Sequence, residues 1–133
     1  MAVLLDASYL LAFLNESDVH YRAARKLTDE ISADKYGIPF TTDHIFDETV
    51  SVALRKFGKN RALAFGKHIL DSVLMLTSDK HVLAEAWSIF IKTELNLSFT
   101  DCINIATLKV TGTEFIATFD KEFKNIQDTK VLD

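Results

Sequence analysis

Short apolar runs separated by helix-periodic segments constrain this chain more than any other feature. Val3–Leu5, Ile38–Thr42, Val73–Leu76 and Phe115–Phe119 are each three to five residues long, and Lys130–Leu132 closes the chain with a fifth run. Runs of that length are strands, not helices. A pair of segments with helical periodicity lies between each of the first four. Strands joined through helices pair in parallel with right-handed crossovers. The sequence therefore predicts an α/β fold: three layers, α/β/α, around a central, mainly parallel sheet whose strands end along one edge. One Pro, four Gly and no repeat leave no linker, so residues 1–133 make a single domain.

The helical segments carry their own punctuation. Ala7–Leu14 is a short apolar helix, and Ser17 or Asp18 caps a second that runs to about Ala33, with Tyr21, Ala24, Leu27 and Ile31 inward. Thr42 or Asp43 caps a third, His44–Phe57, with Phe46, Val50, Ala53, Leu54 and Phe57 as its main stripe. Gly58 breaks the pattern before Lys59–Leu70. Ser78 is the expected cap of a fifth helix to about Leu95, with Leu83, Ala84, Trp87 and Ile91 at core spacing. Ser98 caps the sixth, Asp101 stands where a capping-box acid belongs, and Gly112 is the left-handed stop. Phe99, Cys102, Ile103, Ala106 and Val110 form one stripe of that helix. Ile105 and Leu108 lie on the face that holds Asp101, so Asp101 is expected to look into protein or a cleft.

Composition narrows the function classes. A 48% hydrophobic content supports a real core, and the lone Cys102 excludes a disulfide framework or a cysteine metal site. The start Met-Ala-Val-Leu-Leu-Asp lacks a basic leader, and no apolar run approaches membrane-spanning length, so a cytoplasmic protein without a membrane partner is expected. A net charge of -4 argues against binding nucleic acid by bulk charge. Arg55, Lys56, Lys59 and Arg61, around Gly58, are the densest basic patch and the weak candidate for an RNA contact. The four histidines share no ligand-like spacing.

Four acids are placed for chemistry. Asp6 and Asp120 follow strands, Asp101 sits in the first turn of a helix, and Glu48 lies early in the helix after the second strand. In open parallel sheets these positions fall at one rim, where sites form. Taken alone, Asp101 reads as a cap, Asp120 as a turn residue and Glu48 as a solvated glutamate. Together they make a carboxylate cluster. Two carboxylates about 4 Å apart repel by about 4 kcal/mol at an effective dielectric near 20. Either some hold protons or a cation neutralises them. Hard oxygen donors without Cys or His select Mg2+ or Mn2+, and metal-assisted phosphodiester hydrolysis is the chemistry that follows.

The motifs hydrophobic-Asp6-Ala-Ser8, Thr41-Thr42-Asp43-x-x-x-Asp-Glu48, Ser98-Phe-Thr100-Asp101-Cys and Ala117-Thr-Phe-Asp120 resemble those of the PIN domain, and most closely the small VapC-type toxin ribonucleases. The resemblance spans the whole chain. It implies a Mg2+- or Mn2+-dependent endoribonuclease acting on single-stranded or looped RNA, leaving 5′-phosphate and 3′-hydroxyl ends. It also implies a homodimer and a small antitoxin partner. Asp6, Glu48, Asp101 and Asp120 match the acidic quartet, and Ser8 and Thr100 match the supporting hydroxyl positions. Other readings weigh less. A phosphatase of the haloacid-dehalogenase type needs a second Asp where Ser8 stands, and a receiver domain needs an acid pair that Leu5-Asp6-Ala7 lacks. The non-enzyme alternative is a catalytically degenerate PIN fold serving as a binding scaffold.

Overall fold

The computed structural model describes residues 1–133. Five strands, β1 (Ala2–Leu5), β2 (Ile38–Thr42), β3 (Leu74–Leu76), β4 (Phe115–Ala117) and β5 (Lys130–Leu132), form one sheet in the order β3-β2-β1-β4-β5. Every pairing is parallel. Six helices fill the crossovers: α1 (Ala7–Leu14), α2 (Tyr21–Ser32), α3 (Asp43–Phe57), α4 (Lys59–Ser72), α5 (Lys80–Lys92) and α6 (Phe99–Thr111). The result is the three-layer α/β/α arrangement that the alternation of runs predicts. No helix is long and apolar enough to cross a membrane.

β1 lies at the centre, and its residues are buried on both sides: Val3 and Leu4 are fully enclosed in a core that includes Leu10, Leu27, Phe40, Ile45, Ile69, Leu108 and Ile116. Truncating such a side chain to Ala costs about 2–5 kcal/mol. A second, smaller core joins α5 to α6 through Val82, Ala86, Leu97, Cys102, Ile103 and Ala106. Gly66 of α4 lets α3 approach closely, since a Cβ there would stand 3.3 Å from Val50 Cγ2.

Several boundaries and faces differ from the sequence reading. The second helix starts at Tyr21, because Asp18 accepts the His20 N–H at 2.8 Å and makes a turn ahead of it. In α3, Ile45, Thr49 and Ala53 are the buried face; Phe46 and Val50 pack toward Gly66 of α4, and Leu54 is 47% exposed. The fifth helix is capped by Asp79, whose carboxylate accepts the Val82 N–H at 3.0 Å, while the Ser78 N–H is drawn to Asp43 Oδ1. Val82 and Ala86, packed on α6, point inward, and Trp87 and Ile91 stay 57% and 66% exposed. In α6 the caps stand as expected, with Gly112 left-handed at φ 67°, but Val110 is on the surface.

Candidate metal centre at the strand ends

Parallel pairing sets Leu5 beside Ala117, so the residues that follow β1 and β4 leave the sheet together. Asp6 is the first of them. Its N–H donates to the Ala117 carbonyl at 3.0 Å, and its backbone is extended as it enters α1. The Asp6 side chain is nearly enclosed and fully partnered: Thr118 Oγ1 donates to Oδ2 at 2.7 Å, with Ser8 Oγ more distant at 3.4 Å, and Asn104 Nδ2 approaches Oδ1 at 3.4 Å. Ser8 and Thr118 also meet each other at 3.1 Å. The backbone of the following segment hangs on the same two hydroxyls: Phe119 N–H donates to Ser8 Oγ at 2.9 Å and Asp120 N–H to Thr118 Oγ1 at 3.1 Å. Ser8 is therefore a member of the network, whereas Thr100 is half-buried in the first turn of α6 without a side-chain hydrogen bond.

Asp120 turns the chain into a short 3-10 helix, Lys121–Asn125, by accepting the Glu122 N–H at 3.0 Å. Asp101 closes a capping box: Ser98 N–H donates to its Oδ2 at 3.0 Å, and its own N–H donates to Ser98 Oγ at 3.1 Å. These two local motifs bring Asp101, Asp120 and Glu122 together, each with a carboxylate oxygen within 4.8 Å of the others. Asp6 and Glu48 lie outside this tight trio yet share its field. Burial pushes the Asp6 carboxyl up; the Thr118 and Ala7 hydrogen bonds pull against it, and Asp120 and Asp101 push further. Glu48, exposed as a residue, has its carboxyl raised by partial burial and then by Asp6, Asp101 and Asp120 in turn. Glu122 is raised by local desolvation and then by Asp120 and Asp101.

No cation of the chain answers this charge. The five ion pairs use Glu30, Asp71, Glu85, Asp133 and Glu114, none of them in the cluster. Asn104 Oδ1 is buried beside Asp6 without a hydrogen-bond partner. Oxygen donors of one sign, converging and unneutralised, fit a hard divalent cation. The basic residues are placed apart: Arg55 is seven positions along α3 from Glu48, roughly 10 Å at helical rise. Arg61 is drawn aside to Asn15 Oδ1 at 3.3 Å and over the Phe57 ring at 4.6 Å, while Arg55, Lys56 and Lys59 are exposed.

Three members of this site escape a reading by strand ends and helix starts. Thr118 falls inside the apolar run that ends at Asp120 and passes for core. Glu122 passes for a surface acid between Lys121 and Phe123. Asn104 carries a signal that could have exposed it, a polar residue one turn after Asp101 within the apolar stretch Cys102–Ala106.

No curated protein matches the chain in sequence. Among solved structures, VapC20 of Mycobacterium tuberculosis, described as a sarcin-ricin loop cleaving toxin, is similar with a TM-score of 0.81 and 22% identity over 92% of each chain. VapBC2 of Rickettsia felis, bound to a DNA fragment from its promoter, gives 0.75 and 13% identity over 98% of this chain and 97% of that one. The DNA-bound VapBC of Salmonella typhimurium gives 0.74 and 14% over 98% and 96%. The sequence profile of the PIN domain matches residues 3–128, and with the strand-end carboxylates in place the chain belongs to the PIN-domain family.

Proposed function

We propose that this chain is a divalent-metal-dependent endoribonuclease, the toxin of a toxin–antitoxin pair. The observation that carries the reading is the grouping of Asp101, Asp120 and Glu122, each with a carboxylate oxygen within 4.8 Å of the others, with Asp6 and Glu48 near enough to feel the charge of Asp101 and Asp120, beside the switch between β1 and β4. Asp6, Glu48, Asp101 and Asp120 would hold Mg2+ or Mn2+, with Glu122 beside them. Such an ion lowers the pKa of a coordinated water and offsets charge on phosphate oxygens.

The chain's own residues supply orientation and proton handling. Thr118 and Asn104 fix both oxygens of Asp6, so its carboxylate cannot swing away when the neighbouring acids change protonation. Ser8 and Thr118 lock the backbone of Phe119 and Asp120, which sets where Asp120 points. Glu48 is less enclosed than Asp6 and carries a raised carboxyl, so it is the acid suited to accept and release a proton at the cleft. Single-stranded or looped RNA is the substrate class, cut to 5′-phosphate and 3′-hydroxyl ends.

Two partners complete the reading. The similar VapBC complexes support a small antitoxin as inhibitor. The exposed apolar side of α5, with Trp87, Phe90 and Ile91 at 57%, 41% and 66% exposure, supports pairing of two copies of the chain. Incubation with structured and single-stranded RNA, with Mg2+ or Mn2+ and with a chelator, tests the activity. Metal-dependent cleavage lost on chelation is expected. RNA bound in the presence of metal but left intact would make the chain a binding scaffold instead.

A further inference from the structure

We infer that His20, stacked on Phe119, is a platform for one nucleobase of the substrate, beside the carboxylate cluster. The inference rests on the nuclease reading and adds to it the residue that receives a base. The two rings lie 4.4 Å apart between centroids and only 2° from parallel. Phe119 stands between Thr118, which holds Asp6, and Asp120, which belongs to the tight carboxylate trio. Its backbone N–H donates to Ser8 Oγ, which holds the residue at the end of β4. His20 is exposed, and Phe119 is the one ring stacked on it. The His20 backbone is held as well: Asp18 accepts its N–H, and its carbonyl accepts the Ala24 N–H in the first turn of α2. No hydrogen bond within the chain occupies its ring nitrogens.

A phosphate held through a divalent cation at the carboxylates would bring its nucleosides within one sugar of them. The His20–Phe119 pair, one residue along the chain from Asp120, is then placed to receive a neighbouring base. Unstacked bases of single-stranded RNA are taken up on aromatic and histidine rings in this way. A ring already held by a second ring loses little freedom on receiving a third, which favours binding. The alternative role, a staple that only fastens the α1–α2 connection to the end of β4, uses the inner face of His20 and gives its outer face no task.

The test uses a short single-stranded RNA carrying 2-aminopurine, or an abasic ribose, at each nucleotide near the cut in turn. Binding to the wild-type protein should quench 2-aminopurine at one position. An abasic ribose there should raise KM about tenfold, equivalent to about 1.4 kcal/mol. His20→Ala should lose the quenching and suffer a similar rise in KM with intact RNA, but add nothing further with the abasic RNA. His20→Phe should retain both properties. A staple predicts the opposite pattern: a His20→Ala penalty of equal size on intact and abasic RNA, with a lower melting temperature. That pattern, or unaltered quenching by His20→Ala, would overturn the platform while the nuclease reading stands. Wild-type protein that quenches at one position without cutting RNA would sustain the platform and remove the nuclease.

Discussion

Ser98 and Asp101 exchange hydrogen bonds across the first turn of α6, each backbone N–H donating to the other's side chain. Oδ2 of Asp101 is thereby committed to the cap, and the carboxylate still belongs to the trio with Asp120 and Glu122. One residue starts the helix and adds charge to the cluster.

Asp101→Asn separates those tasks. Asn retains an oxygen for the Ser98 N–H but removes a charge that favours the helix start by about 0.3–1 kcal/mol. Relief of repulsion with Asp120 and Glu122 offsets that loss, so the metal-free protein should keep its stability or gain some. The stabilisation by Mn2+, about 2.7 kcal/mol at roughly 100-fold above Kd for an intact site, should shrink. RNA cleavage should fall by orders of magnitude. Thermal melts with and without Mn2+, run beside a cleavage assay, read all three; normal cleavage with a full metal shift would return Asp101 to the role of a cap.

Asp6→Asn addresses pH. The folded Asp6 carboxyl titrates above its ordinary value, chiefly through burial. Above that ordinary value the unfolded chain has lost the proton that the folded chain still holds, so stability falls as pH rises toward the folded pKa, then levels. In the metal-free protein, the stability of Asp6→Asn relative to wild type should therefore grow with pH across that window. Urea unfolding at a series of pH values measures it, and a difference independent of pH would contradict the burial of a titrating Asp6.

Thr118→Val removes the 2.7 Å donor to Asp6 and the acceptor of the Asp120 N–H while keeping the side-chain shape. Leaving buried partners unsatisfied costs about 1–3 kcal/mol. Thr118→Ser should recover most of it. Cleavage should drop in the Val variant even where the fold survives, because the Asp6 carboxylate loses its strongest restraint.

Glu122→Gln takes one charge from the tight trio and leaves Asp6, Glu48, Asp101 and Asp120 as they are. Mn2+ affinity, followed by isothermal calorimetry, should weaken, and the metal-free protein should melt no lower than wild type. Unchanged affinity would confine Glu122 to the surface.

Trp87→Glu and Ile91→Glu probe the apolar side of α5. Light scattering at micromolar concentration should give a dimer for the wild type and a monomer for either variant, each with its cooperative melt intact because neither side chain contributes to the core. A wild-type monomer would remove the pairing.

The parts legible in the sequence are those governed by local chemistry. Capping by Thr42 and Ser98, the left-handed Gly112 and the short apolar strands all report themselves within a few residues, and the parallel order follows from the helices between them. The inward face of α5 was illegible because Trp87 and Ile91 are as apolar as Val82 and Ala86; only the packing on α6 decides the rotation. Glu122 and Thr118 depend on where a short turn carries the chain after β4, and no periodicity encodes that. Asn104 needed the third dimension to meet Asp6, 98 positions away.

The hydrogen bond from Thr118 to Asp6 spans 112 positions of the chain. Synthesis proceeds from the N-terminus at about 5–20 residues per second, so Asp6 exists for roughly 6–22 s before its partner is made. Through that interval the ribosome carries a chain whose first carboxylate is made while Asp120, Glu122 and the hydroxyl that orients it are still untranslated. The carboxylate cluster therefore cannot assemble until β4 and the turn that follows it have been made.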